Sequence, residues 1–232
     1  MESTSRTAVV LGGTSGIGKE IVKALAARGT TVYLSGRTTE TANAAATEIG
    51  LGTIGIAVDL AEPESIAASL AGIGSVDYLV IPAIERDSNT IADYNVARAI
   101  RLVTLKLVGY TEAIHVLRER FTEDASIVLF GGLAMSRPYP GSTTVSTVNG
   151  GVVGLVNSLT TELAPVRINA IHPGIIGDSP FWENKDNGHI IARTPLGRLV
   201  TMQEIVDSVE FLLRNGGVNG VNLAMDGGWL LK

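Results

Sequence analysis

Leu11-Gly12-Gly13-Thr14-Ser15-Gly16-Ile17-Gly18 decides the fold. The apolar run Thr7–Leu11 enters this turn directly, and an amphipathic stretch leaves it at Gly18. Glycine permits positive φ and close approach of another backbone. A helix starting at such a turn presents free N–H groups and a positive dipole end to a phosphate. The spacing Gly12-x-x-x-Gly16-x-Gly18 differs from the commoner G-x-G-x-x-G. A glycine turn alone also serves any tight strand-to-helix connection. Set between an N-terminal strand and an amphipathic helix, this one predicts a dinucleotide site.

Working outward, apolar runs of strand length alternate with longer helical stretches. Strands are expected near Thr7–Leu11, Thr31–Ser35, Thr53–Val58, Tyr78–Ile81, Ile127–Phe130, Arg167–Ile171 and Val221–Met225. Helices are expected near Gly18–Ala27, Glu40–Ile49, Pro63–Ala71, within Ala92–Phe121, from about Thr147 to Leu163, and over Met202–Leu213. Gly29 stops the first helix, and Pro63 suits the first turn of the third. Parallel neighbours need helical crossovers, so this alternation predicts an α/β fold. The expected form is a Rossmann-type, doubly wound parallel sheet of about seven strands between two helical layers, making three layers in all. No Ser/Pro-rich linker or internal repeat divides the chain, so residues 1–232 read as a single domain. Asp178–Thr194 is the one polar, irregular stretch, equally a lid or a plain surface loop.

Composition narrows the function. Hydrophobic residues make up 45% of the 232 and aromatics only 5%, which suits a core of aliphatic side chains in buried strands. A net charge of −5 without a Lys/Arg block argues against nucleic acid and anionic membrane as partners. There is no cysteine, hence no disulfide or thiolate chemistry. The three histidines, His115, His172 and His189, have no metal-ligand spacing, so no metal is expected. The start, Met1 to Thr7, is short and polar, and no apolar run reaches a membrane span of about 18 residues. A cytoplasmic location is the expectation.

The second strand ends Ser35-Gly36-Arg37-Thr38. An acidic residue there holds a ribose 2′-hydroxyl and selects NAD(H), whereas arginine accommodates a 2′-phosphate. Gly36 takes the acidic position, Arg37 offers a charge-assisted contact and Thr38 a hydroxyl. NADP(H) rather than NAD(H) is the expected cofactor.

With these residues in view, the chain resembles the short-chain dehydrogenase/reductase family over nearly its full length. Gly12 to Gly18 is similar to the family's T-G-x-x-x-G-I-G turn, with Leu11 in place of threonine. Val58-Asp59-Leu60 resembles the segment whose aspartate contacts adenine, and His172-Pro173-Gly174 the turn lining the nicotinamide. Thr194-Pro195-Leu196-Gly197-Arg198 and Met225-Asp226-Gly227-Gly228-Trp229 resemble the family's late segments. The resemblance implies a cofactor set of Gly12, Thr14, Ser15, Gly16, Ile17, Gly18, Arg37, Thr38, Asp59, Leu60, Ala83, Asn149, Pro173, Gly174 and Ile176. One segment departs from the pattern: where the family has N-N-A-G, this chain has Ile81-Pro82-Ala83-Ile84. Proline removes a donor and Ile84 adds bulk beside the adenosine, so this loop either repacks around the ligand or obstructs it.

The resemblance also places the family's catalytic side chains. A tyrosine protonates the alkoxide, a lysine four residues later lowers its pKa, a serine polarises the substrate oxygen, and an asparagine orders a water relay. Here those positions hold Val145, Asn149, Gly132 and Thr104, and no Tyr-x-x-x-Lys occurs anywhere in the chain. Valine donates no proton, glycine has no hydroxyl, and Asn149 carries no charge, although it can still bond the nicotinamide ribose. Tyr139, between Pro138 and Pro140, is the substitute donor nearest in sequence, although its flanking prolines favour a structural aromatic in a stiff turn. Ser142, Thr143, Thr144 and Ser146 read as helix caps, while Asp178, Glu183 and Asp186 sit in the lid.

Two functions stay open, while a third, lyase- or isomerase-like use of the pocket without hydride transfer, has no specific support in the sequence. One is an NADP(H)-dependent oxidoreductase acting on a small molecule through a displaced proton donor. The other is a pseudoenzyme: a non-catalytic, nucleotide-responsive regulator or the inert subunit of an oligomer. A homo-oligomer, dimer or tetramer, is expected through the long helices, and the Gly-Gly-Trp tail is a candidate to cross to a neighbour.

Overall fold

The computed structural model describes residues 6–232, so the first five residues of the polar start lie outside the described residues. Strands β1 (Thr7–Leu11), β2 (Thr31–Gly36), β3 (Ile54–Ala57), β4 (Val76–Ile81), β5 (Phe121–Phe130), β6 (Arg167–Pro173) and β7 (Asn222–Met225) form one sheet. Its order is β3-β2-β1-β4-β5-β6-β7 and every pairing is parallel. Successive strands run outward in opposite directions from the β1/β4 boundary. In sheets of this kind, ligands settle at that crevice, beyond the strand C-termini.

The helices are α1 (Gly16–Ala27), α2 (Thr39–Ile49), α3 (Pro63–Leu70), α4 (Val96–Val103), α5 (Tyr110–Leu117), α6 (Thr143–Glu162), α7 (Gly188–Ile191) and α8 (Met202–Arg214). Strand side chains alternate between two cores, as a period of two requires. Val9, Leu11, Leu79, Ile81, Ile127 and Leu129 join residues of α3, α5 and α6 in one. Ala8, Val10, Val32, Leu34, Val80 and Val128 join α1, α2 and α8 in the other. Central β1 is almost wholly buried, while edge strands β3 and β7 are only half-buried.

A short helix, α7, stands within the stretch Asp178–Thr194 expected to be irregular, and three other elements differ most from the sequence expectation. β5 starts six residues early, at Phe121, because its polar first half still pairs with β4 through a register shift near Val76. α6 starts one turn early, at Thr143; Ser142 precedes it without capping it, its Oγ instead accepting from Tyr139 N at 2.9 Å. The long helix expected within Ala92–Phe121 is broken into α4, a π-helical turn at Thr104–Gly109, and α5. Such wide turns recur at functional sites. Two glycines fit this one closely into the fold. A Cβ on Gly109 would lie 2.1 Å from Leu60 O, and one on Gly151 of α6 would lie 2.7 Å from Leu107.

Candidate functional site

Above the strand C-termini lies a cavity of about 1060 Å³. The glycine turn forms one end. Gly12 has φ +105° and donates its N–H to Ser35 Oγ at 2.9 Å. Gly16 has φ +52°, with open space where a Cβ would stand. Ser15 precedes α1 without a side-chain cap, and no acidic residue stands in the first turn, so this helix end is free to meet an anion. A Cβ on Gly18 would sit 2.0 Å from Gly12 O, so only glycine lets α1 pack this close to the turn.

Next along the wall are the ends of β2 and β3. A Cβ at Gly36 would meet Thr41 Oγ1 at 2.6 Å, so packing of α2 excludes an acidic side chain there. Arg37 lines the cavity, exposed. Thr38 does not line it: the hydroxyl accepts from Thr41 N at 3.3 Å and caps α2. Asp59 lines the cavity and accepts Ala61 N at 2.9 Å and Arg101 at 3.2 Å. Arg101 also grips Glu85 at 2.7 and 2.9 Å, and these carboxylates push its pKa up. Arg37 stands 3.8 Å from the same Glu85. Neither Glu85 nor Arg101 stood out in the sequence, where an acid in a loop and a base on a helix read as solvated charges.

The departing loop takes a definite place. Ala83 N donates to Leu11 O at 3.2 Å, and a Cβ on Gly12 would lie 2.8 Å from Ala83 Cα. Pro82 abuts Gly18, and Ile84 lies exposed on the cavity wall.

At the far end, Gly131 and Gly132 form the floor beyond β5, with Val145 and Asn149 above them from successive turns of α6. A Cβ on Gly131 would fall 2.2 Å from His172 Nδ1, and one on Gly132 would fall 2.8 Å from Asn149 Nδ2. The glycines are therefore complementary to His172 and Asn149. His172 Nδ1 accepts from Gly132 N at 3.2 Å, which leaves Nε2–H to donate to Asn222 Oδ1 at 3.0 Å. Burial first, then the Lys106 charge, holds the His172 pKa below its ordinary value. Lys106, from the π-helical turn, is 1% exposed, lines the cavity, and donates Nζ–H to Phe130 O. Burial pushes its amine down to about 7. Nothing around this lysine in the sequence distinguishes it from a solvated helical charge. Thr104 is half-buried at the end of α4 and does not reach the cavity.

Asp178–Thr194 roofs the cavity with Ser179, Pro180, Phe181, Trp182, His189 and Ile190. Phe181 lies between two cations, Arg86 at 3.2 Å and Lys185 at 3.1 Å from its centroid. The lid carboxylates serve local structure: Asp178 accepts Met202 N at 2.8 Å, and Asp186 accepts Gly188 N at 2.9 Å. Neither they nor Glu183 line the cavity. Tyr139 stands at the rim, 55% exposed. The C-terminal tail folds back on its own chain: Arg137 donates to Trp229 O at 2.8 Å and lies 4.1 Å from the Trp229 ring centroid. Pro173, Gly174 and Ile176 complete the wall at this end. Among the described residues, no helix is long and apolar enough to cross a membrane, and no three His, Asp or Glu side chains group as metal ligands.

Residues 12–230 match the family model described as enoyl-(acyl carrier protein) reductase. Carbonyl reductase family member 4 of Xenopus laevis is 30% identical over 97% of this chain and 98% of its own length. The 3-oxoacyl-[acyl-carrier-protein] reductase of Mus musculus is 27% identical over 96% of this chain and 97% of its own. A solved short-chain dehydrogenase/reductase family protein superposes with a TM-score of 0.88 at 30% identity, covering 99% of both chains.

Proposed function

The chain belongs to the short-chain dehydrogenase/reductase family, and on that premise we propose that it binds NADP(H) and transfers hydride between it and a small carbonyl or hydroxyl compound. One observation carries the reading: a single cavity runs from the glycine turn to the Gly131–Gly132 floor beneath the lid. The open cradle at Gly16 and the uncapped α1 N-terminus fit a pyrophosphate. Thr14, Ser15, Ile17 and Gly18 surround that anion, and Asp59, Leu60 and Ala83 flank the adenosine. Arg37 meets the 2′-phosphate, since Gly36 leaves no carboxylate at the strand end to take a 2′-hydroxyl. Asn149 bonds the nicotinamide ribose, with Pro173, Gly174 and Ile176 against the ring.

When bound, the cofactor supplies the hydride. The chain supplies orientation through the glycine turn, and the aromatic roof of Phe181 and Trp182 excludes water. The relatives' names, carbonyl reductase and 3-oxoacyl-[acyl-carrier-protein] reductase, support a carbonyl substrate. Members of the family are commonly oligomeric. The exposed Val96, Ile100, Val103 and Val108 support self-association through this helical face.

A second reading, an inert nucleotide-binding subunit, is favoured by Val145 and Asn149 on the wall, neither of which donates a proton to an alkoxide. Calorimetric titration with NADPH and NADH, followed by a panel of aldehydes and ketones, separates the two. NADPH binding that is selective, weakened in Arg37→Ala and followed by turnover supports the oxidoreductase. Binding without turnover selects the inert subunit, and no binding of either nucleotide rejects both.

A further inference from the structure

Lys106 is the residue that the ordinary account of this fold leaves without a purpose. Its side chain is 1% exposed and its ammonium donates to one carbonyl, Phe130 O. A buried ammonium is costly unless paired with an anion. No carboxylate contributes to the state of this one; burial alone sets it. The titratable groups facing it are Tyr110, whose ring centroid lies 5.1 Å from Nζ, and His172 of β6, whose pKa its charge lowers. Tyr110 donates its hydroxyl to Ala83 O at 2.8 Å and is itself held protonated by burial, so it does not neutralise the amine. Asp59 and Glu85 are engaged by Arg101. The lysine is a cavity wall residue, and its acceptor Phe130 adjoins the Gly131–Gly132 floor. Asn149 and Val145, which also line the cavity there, have no acidic proton to transfer.

We infer that Lys106 is the proton donor of this site, reaching from the π-helical turn to the carbonyl oxygen of the substrate. The inference rests on the NADP(H) oxidoreductase reading. As a carbonyl carbon takes hydride from the reduced nicotinamide, a C–H bond forms and the carbonyl π pair moves to oxygen. A Lys106 N–H bond breaks, its electrons stay on nitrogen, and the proton forms the new O–H bond. The neutral amine is then reprotonated from solvent. An amine titrating near neutrality is a suitable general acid at that pH. The π-helical turn supplies the reach, held by the close contacts at Gly109 and Gly151.

The test begins with trace acylation of the amines in the folded protein across a pH series, read by peptide mass spectrometry with and without NADPH. Lys106 is expected to reach half-maximal labelling near pH 7, with exposed Lys23 as the reference amine. NADPH at ten times its Kd should slow Lys106 labelling by about tenfold and leave Lys23 unchanged. Lys106→Met is expected to keep NADPH affinity within about threefold while carbonyl turnover falls by about 10²–10⁴-fold. Lys106→Arg, which keeps the charge but holds its proton too firmly, should shift the pH profile as well as lower the rate. An amine that is never labelled, that titrates as an ordinary lysine, or that NADPH fails to protect would overturn the inference. So would full turnover in Lys106→Met. Failure of the wild type to bind NADPH, or NADPH binding without turnover, would instead remove the reading beneath it, and the inference with it.

Discussion

The two ends of the cavity are built by different means. At the glycine-turn end the geometry comes from backbone: positive φ at Gly12 and Gly16, a bare helix N-terminus, and a contact at Gly18 that admits no side chain. At the Gly131–Gly132 end it comes from fitted side chains: His172 and Asn149 occupy the space that Cβ atoms would take, and Lys106 reaches in from the π-helical turn. The backbone end suits any nucleotide of the right charge. On the proposed reading, the side-chain end would determine what chemistry follows. At 131 any side chain meets the His172 ring, whereas a side chain at 132 meets the end of the Asn149 amide, which must shift to admit it.

The largest expected effect breaks the backbone end. Gly18→Ala sets a methyl 2.0 Å from Gly12 O, an overpacking that costs about 1–3 kcal/mol. A lower thermal midpoint together with loss of NADPH binding is the outcome to look for. Gly131→Ala, its counterpart at the other end, should destabilise by a similar amount while sparing recognition of the adenosine half. Adenosine 2′,5′-bisphosphate titrations of both variants would reveal the asymmetry.

Removing the cation at the β2 end sharpens the comparison next. Arg37→Ala should weaken NADPH by about 10–100-fold, the loss of a charge-assisted contact of about 1.5–3 kcal/mol, and leave NADH nearly unchanged. Glu85→Gln should work in the opposite sense, strengthening NADPH a few-fold by withdrawing a carboxylate 3.8 Å from Arg37. Calorimetry on the two variants side by side measures both.

Lys106 makes a prediction of the reverse sign. Its amine titrates near 7 in the folded chain, against 10.5 ordinarily. Between those values the unfolded chain holds a proton that the folded chain lacks, so stability rises with pH across this window. Below pH 7 the folded state bears the full penalty of burial. Lys106→Met should therefore raise the thermal midpoint at pH 7 and flatten its dependence on pH from 7 to 10.5, even as it impairs the site. The smallest effect lies outside the cavity, at the cap of α8. There Arg198 and the Thr201 N–H hold Glu204 down to about 2. Its stabilisation is present above the ordinary carboxylate value and is lost as pH falls toward 2. Glu204→Ala should cost about 0.5–1 kcal/mol, mostly the capping bond, because the ion pair is solvent-screened. Thermal melts between pH 2 and pH 6 would register it.

Much of this was legible in the residues. Buried runs such as Ala8-Val9-Val10-Leu11 and Ile127-Val128-Leu129-Phe130 leave no polar face, so they had to be inner parallel strands. The glycine turn and the Gly36-Arg37 pair, singled out in the sequence, line one cavity. What escaped reading was set by tertiary contacts. A π-helical turn changes helical periodicity by a single residue, too little to register in a sequence. Thr38 looked available until Thr41 claimed its hydroxyl. A helical lysine is ordinarily a solvated charge, and nothing in Thr104-Leu105-Lys106-Leu107 indicates that Gly109 and Gly151 admit this helix so deeply. Glu85 and Arg101, 16 residues apart, meet only because the β4 loop folds back over α4.

If both ends of the cavity belong to one site, crystals grown with NADPH will hold a single nucleotide that spans them. The expected density has the 2′-phosphate at Arg37, the pyrophosphate on the α1 N-terminus, and the nicotinamide over Gly131–Gly132 with Lys106 facing the substrate position beneath Phe181. A nucleotide excluded by Ile84, or one whose nicotinamide turns away from the Gly131–Gly132 floor, would contradict it.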